Sequence, residues 1–218
     1  MAIGRSYGDP CGVARGLDLV GERWALLVVR ELLLGPKRFN DLLAGLPNVS
    51  PNVLSQRLRD LVDQGVVARR DLGAPARVHI YELTEWGRGL EPALLALGRW
   101  GSQAPPPATG VLGIDALLLG LKAAFDPAQA RATAGMYELR VDEDVYVMTV
   151  GPDGLDLTRG NAPRSPDATL TADLGTLRSV CVGRRTIAAA LGSGDLVLSG
   201  RSRAVQGLRE LMEATTGG

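Results

Sequence analysis

Apolar residues recur at helical spacing in two short stretches near the start of the chain. A first helix is predicted over Arg38 to Gly45. Pro47 and Asn48 end it, because proline cannot continue a helix and asparagine suits a turn. Ser50 and Pro51 favour a new start, since a hydroxyl can cap an orphan backbone amide and proline suits the first helical position. The pattern therefore predicts a helix, a turn and a second helix that begins at Pro51.

The second helix has a polar face opposite its apolar one. Leu54, Leu58 and Leu61 fall at i, i+4 and i+7 and define the buried side. At about 100° per residue, the opposite face holds Asn52, Gln56, Arg59 and Asp63, with Val53, Ser55 and Arg57 on the flanks. Side chains of asparagine, glutamine and arginine can match base edges in the major groove of DNA. The alternative for this face alone is an ordinary solvated surface.

A cationic hairpin is predicted directly after this helix. Gly65 ends the helix, and Val66 to Asp71 and Val78 to Leu83 have strand-like content on either side of a turn. From Pro36 to Val78, seven basic residues stand against the four acidic residues Asp41, Asp60, Asp63 and Asp71. The basic ones are Lys37, Arg38, Arg57, Arg59, Arg69, Arg70 and Arg77. A helix for base contacts beside a hairpin for phosphate contacts indicates a DNA-binding domain.

An ordered set of motifs surrounds these residues. It includes Glu22-Arg-Trp24, Gly35-Pro-Lys-Arg-Phe39, Leu46-Pro47, Ser50-Pro-Asn-Val-Leu-Ser-Gln-Arg-Leu58, Tyr81-Glu-Leu-Thr84 and Leu97-Gly-Arg-Trp-Gly101. Over about residues 11 to 102 they resemble the HxlR-type winged helix-turn-helix regulators, relatives of the multiple-antibiotic-resistance (MarR) regulators. The resemblance implies a bacterial or archaeal homodimer that binds an inverted repeat in double-stranded DNA, usually as a repressor. The DNA contacts expected are Lys37, Arg38, Ser50, Pro51, Asn52, Val53, Ser55, Gln56, Arg57, Arg59, Arg70 and Arg77.

Two flanking segments carry more apolar surface than a domain of this size needs for its own core. One holds Leu17, Val20, Trp24, Leu27 and Val28 at helical spacing, and the other runs from Glu85 to Trp100. The family resemblance makes the surplus a dimer interface, at Leu17, Trp24, Leu90, Leu94, Leu97 and Trp100. The alternative is that all of this surface is intramolecular core.

The proline run within residues 103–110 predicts a linker between two domains, 1–102 and 111–218. The second domain begins with an apolar helix over Val111 to Phe125. Four strands that look like an antiparallel meander follow, at Met136 to Val141, Val145 to Val150, Gly154 to Thr158 and Ala168 to Ala172. Then come helices at Leu174 to Val182 and Arg184 to Leu191, a strand at Asp195 to Ser199 and a helix at Ser202 to Ala214. The expected fold class is α+β, a winged helix-turn-helix followed by an antiparallel sheet packed with helices.

Two stretches of the second domain are Pro166-Asp-Ala-Thr-Leu-Thr-Ala-Asp173 and Ala190-Leu-Gly-Ser-Gly-Asp-Leu-Val-Leu-Ser-Gly200. They are similar to the sterol carrier protein type 2-like domains, with the resemblance covering about residues 151 to 212. That family encloses an apolar tunnel, which implies a hydrophobic small-molecule effector here. Aromatic rings are few beyond the linker, so a cavity of about 300 to 1,000 Å³ has room to form. The alternative is that leucines and valines fill the interior.

Composition limits the other classes of function. With 24 basic and 24 acidic residues the net charge is zero, so nonspecific coating of nucleic acid is excluded. No apolar run approaches the ~20 residues of a membrane span and no signal-peptide pattern opens the chain, which predicts a cytoplasmic protein with no membrane partner. The sequence holds no serine nucleophile motif for which His79 could act as a catalytic base. Gly192-Ser-Gly194 lacks the third glycine of the motif that binds dinucleotides. One histidine and two cysteines are too few for a zinc site, so we predict no enzyme, cofactor or metal.

Cys11 opens an alternative function. It lies in Asp9-Pro-Cys-Gly12, just ahead of the first helix, where backbone amides can stabilise a thiolate. Some members of the HxlR-type family, which this chain resembles, sense oxidants through a cysteine near the N-terminus. In those proteins the order is often Cys-Pro, whereas this chain has Pro-Cys. Thiol-based redox sensing is therefore one alternative to an incidental thiol, while Cys181 is predicted to lie in the core. A carrier protein whose C-terminal domain is the main activity is the other alternative.

Overall fold

The computed structural model describes residues 6–73, 78–105, 110 and 112–216. The chain divides into two compact units, Met1–Leu94 and Leu95–Gly218. Residues 106–109 of the predicted linker, together with Val111, lie outside the described residues. No helix within these described ranges is both long and apolar enough to cross a membrane.

The N-terminal unit is a winged helix-turn-helix. Its helices are α1 (Gly12–Val20), α2 (Ala25–Leu33), α3 (Phe39–Gly45), α4 (Pro51–Asp63) and α5 (Glu85–Arg88), and α6 (Glu91–Gly101) begins in it. Strands β1 (Lys37–Arg38), β2 (Val67–Asp71) and β3 (His79–Leu83) form an antiparallel sheet in the order β1-β3-β2. The predicted order of helix, turn, helix and hairpin is confirmed.

A leucine and valine core holds this unit together. Its fully buried members include Val28, Val29, Leu32, Leu42, Leu54, Leu58 and Leu61. They come from α2, α3 and α4, so the three helices share one apolar centre beneath the small sheet. The three leucines of α4 are the ones predicted from their spacing.

Both ends of α4 have the predicted caps. The Ser50 hydroxyl accepts a hydrogen bond from the Val53 N–H at 3.4 Å, and Pro51 occupies the first helical position. At the other end Gly65 has φ +73°, a left-handed conformation that glycine adopts without strain. The N–H groups of Gly65 and Val66 then donate to the carbonyls of Val62 and Leu61, which satisfies the helix end.

The two flanking apolar segments of the sequence, from Leu17 to Val28 and from Glu85 to Trp100, are each divided between two helices. α1 ends at Val20 and α2 begins at Ala25, with Trp24 between them in a left-handed conformation at φ +78°. Similarly, α5 ends at Arg88 and α6 begins at Glu91. Because the chain turns within each segment, part of the apolar surface belongs to the core and part stays exposed.

The C-terminal unit is a five-stranded sheet with helices. Its helices are α7 (Ile114–Ala124), α8 (Leu174–Cys181), α9 (Ile187–Ser193) and α10 (Ser202–Thr216), with a 3-10 turn at Pro127–Gln129. The strands are β4 (Gly135–Val141), β5 (Asp144–Gly151), β6 (Gly154–Arg159), β7 (Ala168–Ala172) and β8 (Leu196–Gly200). Their order is β6-β5-β4-β7-β8.

The predicted four-strand meander is wrong at its last strand. Strands β4, β5 and β6 do form an antiparallel meander, but β7 lies beside β4 and parallel to it. The reason lies in Asp167, just before β7, whose carboxylate accepts from the Met136 N–H at 2.9 Å and whose N–H donates to the Met136 carbonyl at 2.7 Å. These bonds bring the starts of β7 and β4 together, which makes the pair parallel.

A buried ionic cluster joins α7 to the sheet. Asp115 of α7 is 1% exposed and accepts hydrogen bonds from the Tyr146 hydroxyl at 2.7 Å and the Arg159 guanidinium at 2.5 Å. Arg159 also pairs with Asp144 at 2.7 Å and lies over the Tyr146 ring. Burial and the charge of Asp115 raise the pKa of Tyr146, so its hydroxyl stays a proton donor. Asp115 is thus a charged residue within the predicted apolar helix Val111 to Phe125, and its role as a buried partner of the sheet was not predicted from the sequence.

Candidate nucleic-acid interface

The outward face of α4 carries the side chains that its spacing predicted. Asn52, Gln56, Arg59 and Asp63 are exposed, while the leucines on the opposite side are buried. On the flanks Pro51 and Val53 are also exposed, and Ser55 is half-buried. A row of amide and guanidinium groups therefore points away from the core along one side of the helix.

Hydrogen bonds hold the middle of this face in one arrangement. The Gln56 amide nitrogen donates to Asp60 Oδ1 at 2.7 Å, and the Arg59 guanidinium donates to Gln56 Oε1 at 2.7 Å. Gln56 thus directs its oxygen towards Arg59 and its nitrogen towards Asp60. Side chains that are already oriented lose less conformational entropy when they bind a ligand.

Arg57 is held differently from the other basic residues of α4. Its guanidinium lies 3.1 Å from Asp60 Oδ2 and 3.7 Å from Glu22 Oε2, in the loop before α2. Asp60 therefore joins Gln56 and Arg57, a role that the sequence analysis missed. The i,i+3 and i,i+4 spacing to Asp60 was the available signal.

The hairpin of β2 and β3 presents its basic residues to solvent. Arg69 and Arg70 are exposed, and the Arg70 guanidinium lies 3.4 Å from Glu82 Oε2. His79 is exposed and lies 3.6 Å from the Asp71 carboxylate, so it is a surface residue of the strand. Arg77, predicted to contact phosphate, lies outside the described residues.

Lys37 does not lie on the surface, which corrects its place among the predicted DNA contacts. It is 7% exposed, and its ammonium lies 2.5 Å from Glu31 Oε2, while Arg30 pairs with the other oxygen of Glu31 at 2.8 Å. Gly45 leaves room for this pair, because a Cβ there would collide with the Glu31 carboxylate. Arg38, the next residue, is exposed at the start of α3.

The six residues predicted for a dimer interface fall into two groups. Trp24, Leu90 and Leu94 are half-buried and pack against the core of the N-terminal unit. The other three are exposed, with Leu17 at 42%, Leu97 at 48% and Trp100 at 72%.

Trp86 is a further exposed apolar residue of the N-terminal unit, one that the sequence analysis did not name individually. It is 59% exposed and borders a groove of about 210 Å³ whose other lining residues include Leu19, Val20 and Leu90. The groove and the Trp86 ring leave apolar surface of α1 and α5 in contact with water. An exposed ring beside an apolar groove makes this surface a candidate interaction site.

The two cysteines lie in opposite environments. Cys11 is exposed at the N-terminal end of α1, where the backbone N–H groups of Val13 and Ala14 lower the pKa of its thiol. Cys181, on α8, is half-buried, and burial raises the pKa of its thiol to about 12. Only the first thiol is therefore placed to be a nucleophile near neutral pH.

Comparison with known proteins identifies the family of the N-terminal unit. Residues 19–108 match the family described as HxlR-like helix-turn-helix. The HTH-type transcriptional regulator YvaP of Bacillus subtilis is 39% identical over 90 residues, which cover 41% of this chain and 82% of that protein. The chain belongs to the HxlR-like helix-turn-helix family.

Other transcriptional regulators match over a similar share of the chain. An HTH-type transcriptional regulator of Mycobacterium tuberculosis is 44% identical over 94 residues, 43% of this chain. The match spans 59% of that relative's length. Among solved structures, the reduced form of the transcriptional regulator YodB from B. subtilis is 31% identical, with a TM-score of 0.40, and the match covers 45% of this chain and 98% of that one.

The contrast between the two thiols predicts selective alkylation. In the native protein near neutral pH, iodoacetamide should modify Cys11 at least about tenfold faster than Cys181, because the thiolate is the reactive form. The pH midpoint of Cys11 alkylation should also lie below that of the same thiol in urea, since the amides that lower its pKa are lost on unfolding. Peptide mapping by mass spectrometry measures both rates, with Cys11→Ser as the control. Equal pH midpoints in the native and unfolded protein would contradict the assigned cause.

Proposed function

We propose that this protein is a homodimeric, sequence-specific DNA-binding transcriptional regulator that acts as a repressor. The observation that carries the proposal is the exposed row of Asn52, Gln56 and Arg59 on α4, set opposite the buried leucines in an HxlR-like winged helix-turn-helix. Its relatives are named as transcriptional regulators, which supports a role without catalysis. A DNA target supports a cytoplasmic location for this protein.

In this proposal α4 enters the major groove. Gln56 and Asn52 match adenine, Arg59 matches guanine, and the exposed Val53 meets a thymine methyl group. The basic hairpin and the start of α3 lie along the phosphates and set the position of the helix. The proposed contacts are Arg38, Ser50, Pro51, Asn52, Val53, Ser55, Gln56, Arg57, Arg59, Arg70 and Arg77.

The first test concerns base readout. The preferred site is first selected from a randomised DNA library with the full chain. Alanine at Asn52, Gln56 or Arg59 should then cost about 1 to 3 kcal/mol on that site and spare binding to unrelated DNA. Arg70→Ala should weaken every sequence alike and reduce the salt dependence, because it removes a phosphate contact.

Asp63→Ala is the matched control, since Asp63 lies on the same exposed face at the last residue of α4 and is not among the proposed contacts. It should leave the preference for the selected site intact. Equal loss of specific and nonspecific affinity in the three helix variants would show that α4 presents a different face to DNA. Failure to enrich any site would overturn the proposed function itself.

The proposed dimer uses the apolar surface of α1, α5 and α6. Trp86, Leu97 and Trp100 are large exposed apolar side chains in a short span of chain, and the groove beside Trp86 can receive an apolar side chain of a second copy. A twofold dimer contacts two half-sites about one helical turn apart, roughly 34 to 36 Å. The target would therefore be an inverted repeat.

Charge at this surface should dissociate the dimer. Trp100→Glu or Leu97→Glu should yield monomers that bind the selected site weakly, because a carboxylate cannot be desolvated there without a partner. Analytical ultracentrifugation at micromolar concentration measures the association. Val197→Glu is the control, since Val197 is a similarly exposed apolar residue that lies on β8, outside α1, α5 and α6. A wild-type protein that sediments as a monomer would rule out the proposed interface.

Redox control through Cys11 is a second candidate function, favoured by its exposure and lowered thiol pKa. Oxidation of this thiol by a peroxide or quinone would change the charge and contacts at the N-terminal end of α1, the helix that also carries Leu17. The candidate requires Cys11 to be the reactive thiol, which the alkylation measurement tests directly.

We also propose that the C-terminal unit is a sterol-carrier-like effector module for an apolar molecule. The resemblance over about residues 151 to 212 and the helix-covered sheet support this. Against it, Leu118, Tyr137, Leu139, Tyr146 and Met148 are fully buried and fill much of the interior. An apolar ligand would have to displace some of these side chains. It would regulate DNA binding only by favouring one dimer geometry.

Native mass spectrometry of the purified full chain tests this module. A bound lipid, or a higher melting temperature with fatty acids, is the expected result, and added fatty acid should shift affinity for the selected DNA. Binding without any such shift would instead favour the carrier as the main activity. If the purified protein retains no lipid and no fatty acid raises its melting temperature, the C-terminal unit is a structural scaffold and not an effector module.

A further inference from the structure

A cavity of about 260 Å³ opens on the surface of the C-terminal unit. It lies between the segment that leads into β4 and the first turn of α10. Three arginines, three alanines, Tyr137 and Asp167 line it. The arginines are Arg131, Arg201 and Arg203, so the cavity is cationic rather than apolar.

The one carboxylate in the lining is already engaged. Asp167 accepts the Met136 N–H at 2.9 Å and lies 3.1 Å from Arg201 and 3.6 Å from Arg164, which is outside the lining. These contacts, the Met136 N–H foremost, lower the pKa of Asp167, so it stays ionised. Its charge is therefore offset by Arg201 and Arg164.

The other two arginines keep an excess of positive charge in the cavity. Among the described side chains, neither Arg131 nor Arg203 has an acidic partner within ion-pair distance. Both are exposed, as solvated surface arginines would be. What distinguishes them is that both border the same concave site, where an anion can meet more than one guanidinium.

Hydrogen bonds fix the two chain segments that line the cavity. Tyr137 is fully buried, and its hydroxyl donates to the Thr133 carbonyl at 2.6 Å. The Arg201 N–H donates to the Asp167 carbonyl at 3.0 Å, which fixes the chain just before α10. A site whose frame is in place before binding loses little conformational entropy when a ligand enters.

We propose that this cavity binds a small anion through a carboxylate or phosphate group. Guanidinium groups match the geometry of both groups and bind them with charge-assisted hydrogen bonds. The volume suits a molecule of the size of phosphate or citrate, and the arginine lining disfavours a lipid chain. The proposal does not depend on the proposed DNA-binding function.

Calorimetric titration of the full chain with inorganic phosphate and with citrate, at constant ionic strength against chloride, tests the proposal. The wild type should bind at least one of them, and the double variant Arg131→Ala, Arg203→Ala should bind about tenfold more weakly. Arg209→Ala is the control. It lies on α10 as well, pairs with Glu213 at 2.8 Å and is not in the lining. Melting curves in chloride confirm that each variant is folded.

Two kinds of ligand carry such an anionic group, a free small molecule and the phosphates of DNA. The concave shape of the cavity favours the small molecule. The double variant should therefore bind unrelated double-stranded DNA as tightly as the wild type does. Loss of that DNA affinity would overturn the small-anion assignment. Wild-type protein that binds neither anion, or an equal loss in Arg209→Ala, would overturn the site itself.

Discussion

The burial of three leucines on α4 is the constraint on which the N-terminal unit depends. Leu54, Leu58 and Leu61 are all at most 1% exposed, and truncation of a buried leucine typically costs about 2 to 5 kcal/mol. Because they are joined by one rigid helix, their burial determines the rotation of α4 about its axis. The amide and guanidinium groups on the far side owe their outward direction to the core. The caps at Ser50 and Gly65 then set where this face begins and ends.

Buried charges have a comparable role in both units, because each joins a helix to a strand. Lys37 of β1 meets Glu31 of α2, and Asp115 of α7 meets Arg159 of β6. Removing one partner of such a pair is costly, since the other is left charged in the interior. Because a shifted helix would leave one charge buried without its partner, these ion pairs fix the positions of α2 and α7 more specifically than leucine packing does.

The parallel pairing of β7 with β4 brings together residues that line the cationic cavity of the C-terminal unit. It brings Asp167 to the start of β4, and the carbonyl of the same residue accepts the N–H of Arg201 before α10. Residues far apart in the chain thereby border one cationic cavity. The two large hydroxylated rings of this unit, Tyr137 and Tyr146, are buried with bonded hydroxyls and occupy space that an apolar ligand would otherwise take.

Local rules were enough to predict the helix-turn-helix, the start of α4 at Pro51, its exposed face and the hairpin. Each of these depends on residues within a few positions of one another, through caps, turns and the helical period. Only the tertiary structure decided that Lys37 is buried while Arg38 is exposed, and that Asp115 is a buried anchor. It also decided that β7 runs parallel to β4 and that Arg131, Arg201 and Arg203 border one cavity. The physical reason is that burial of a charge and the pairing of strands depend on partners distant in the chain, which the local pattern of residues does not specify.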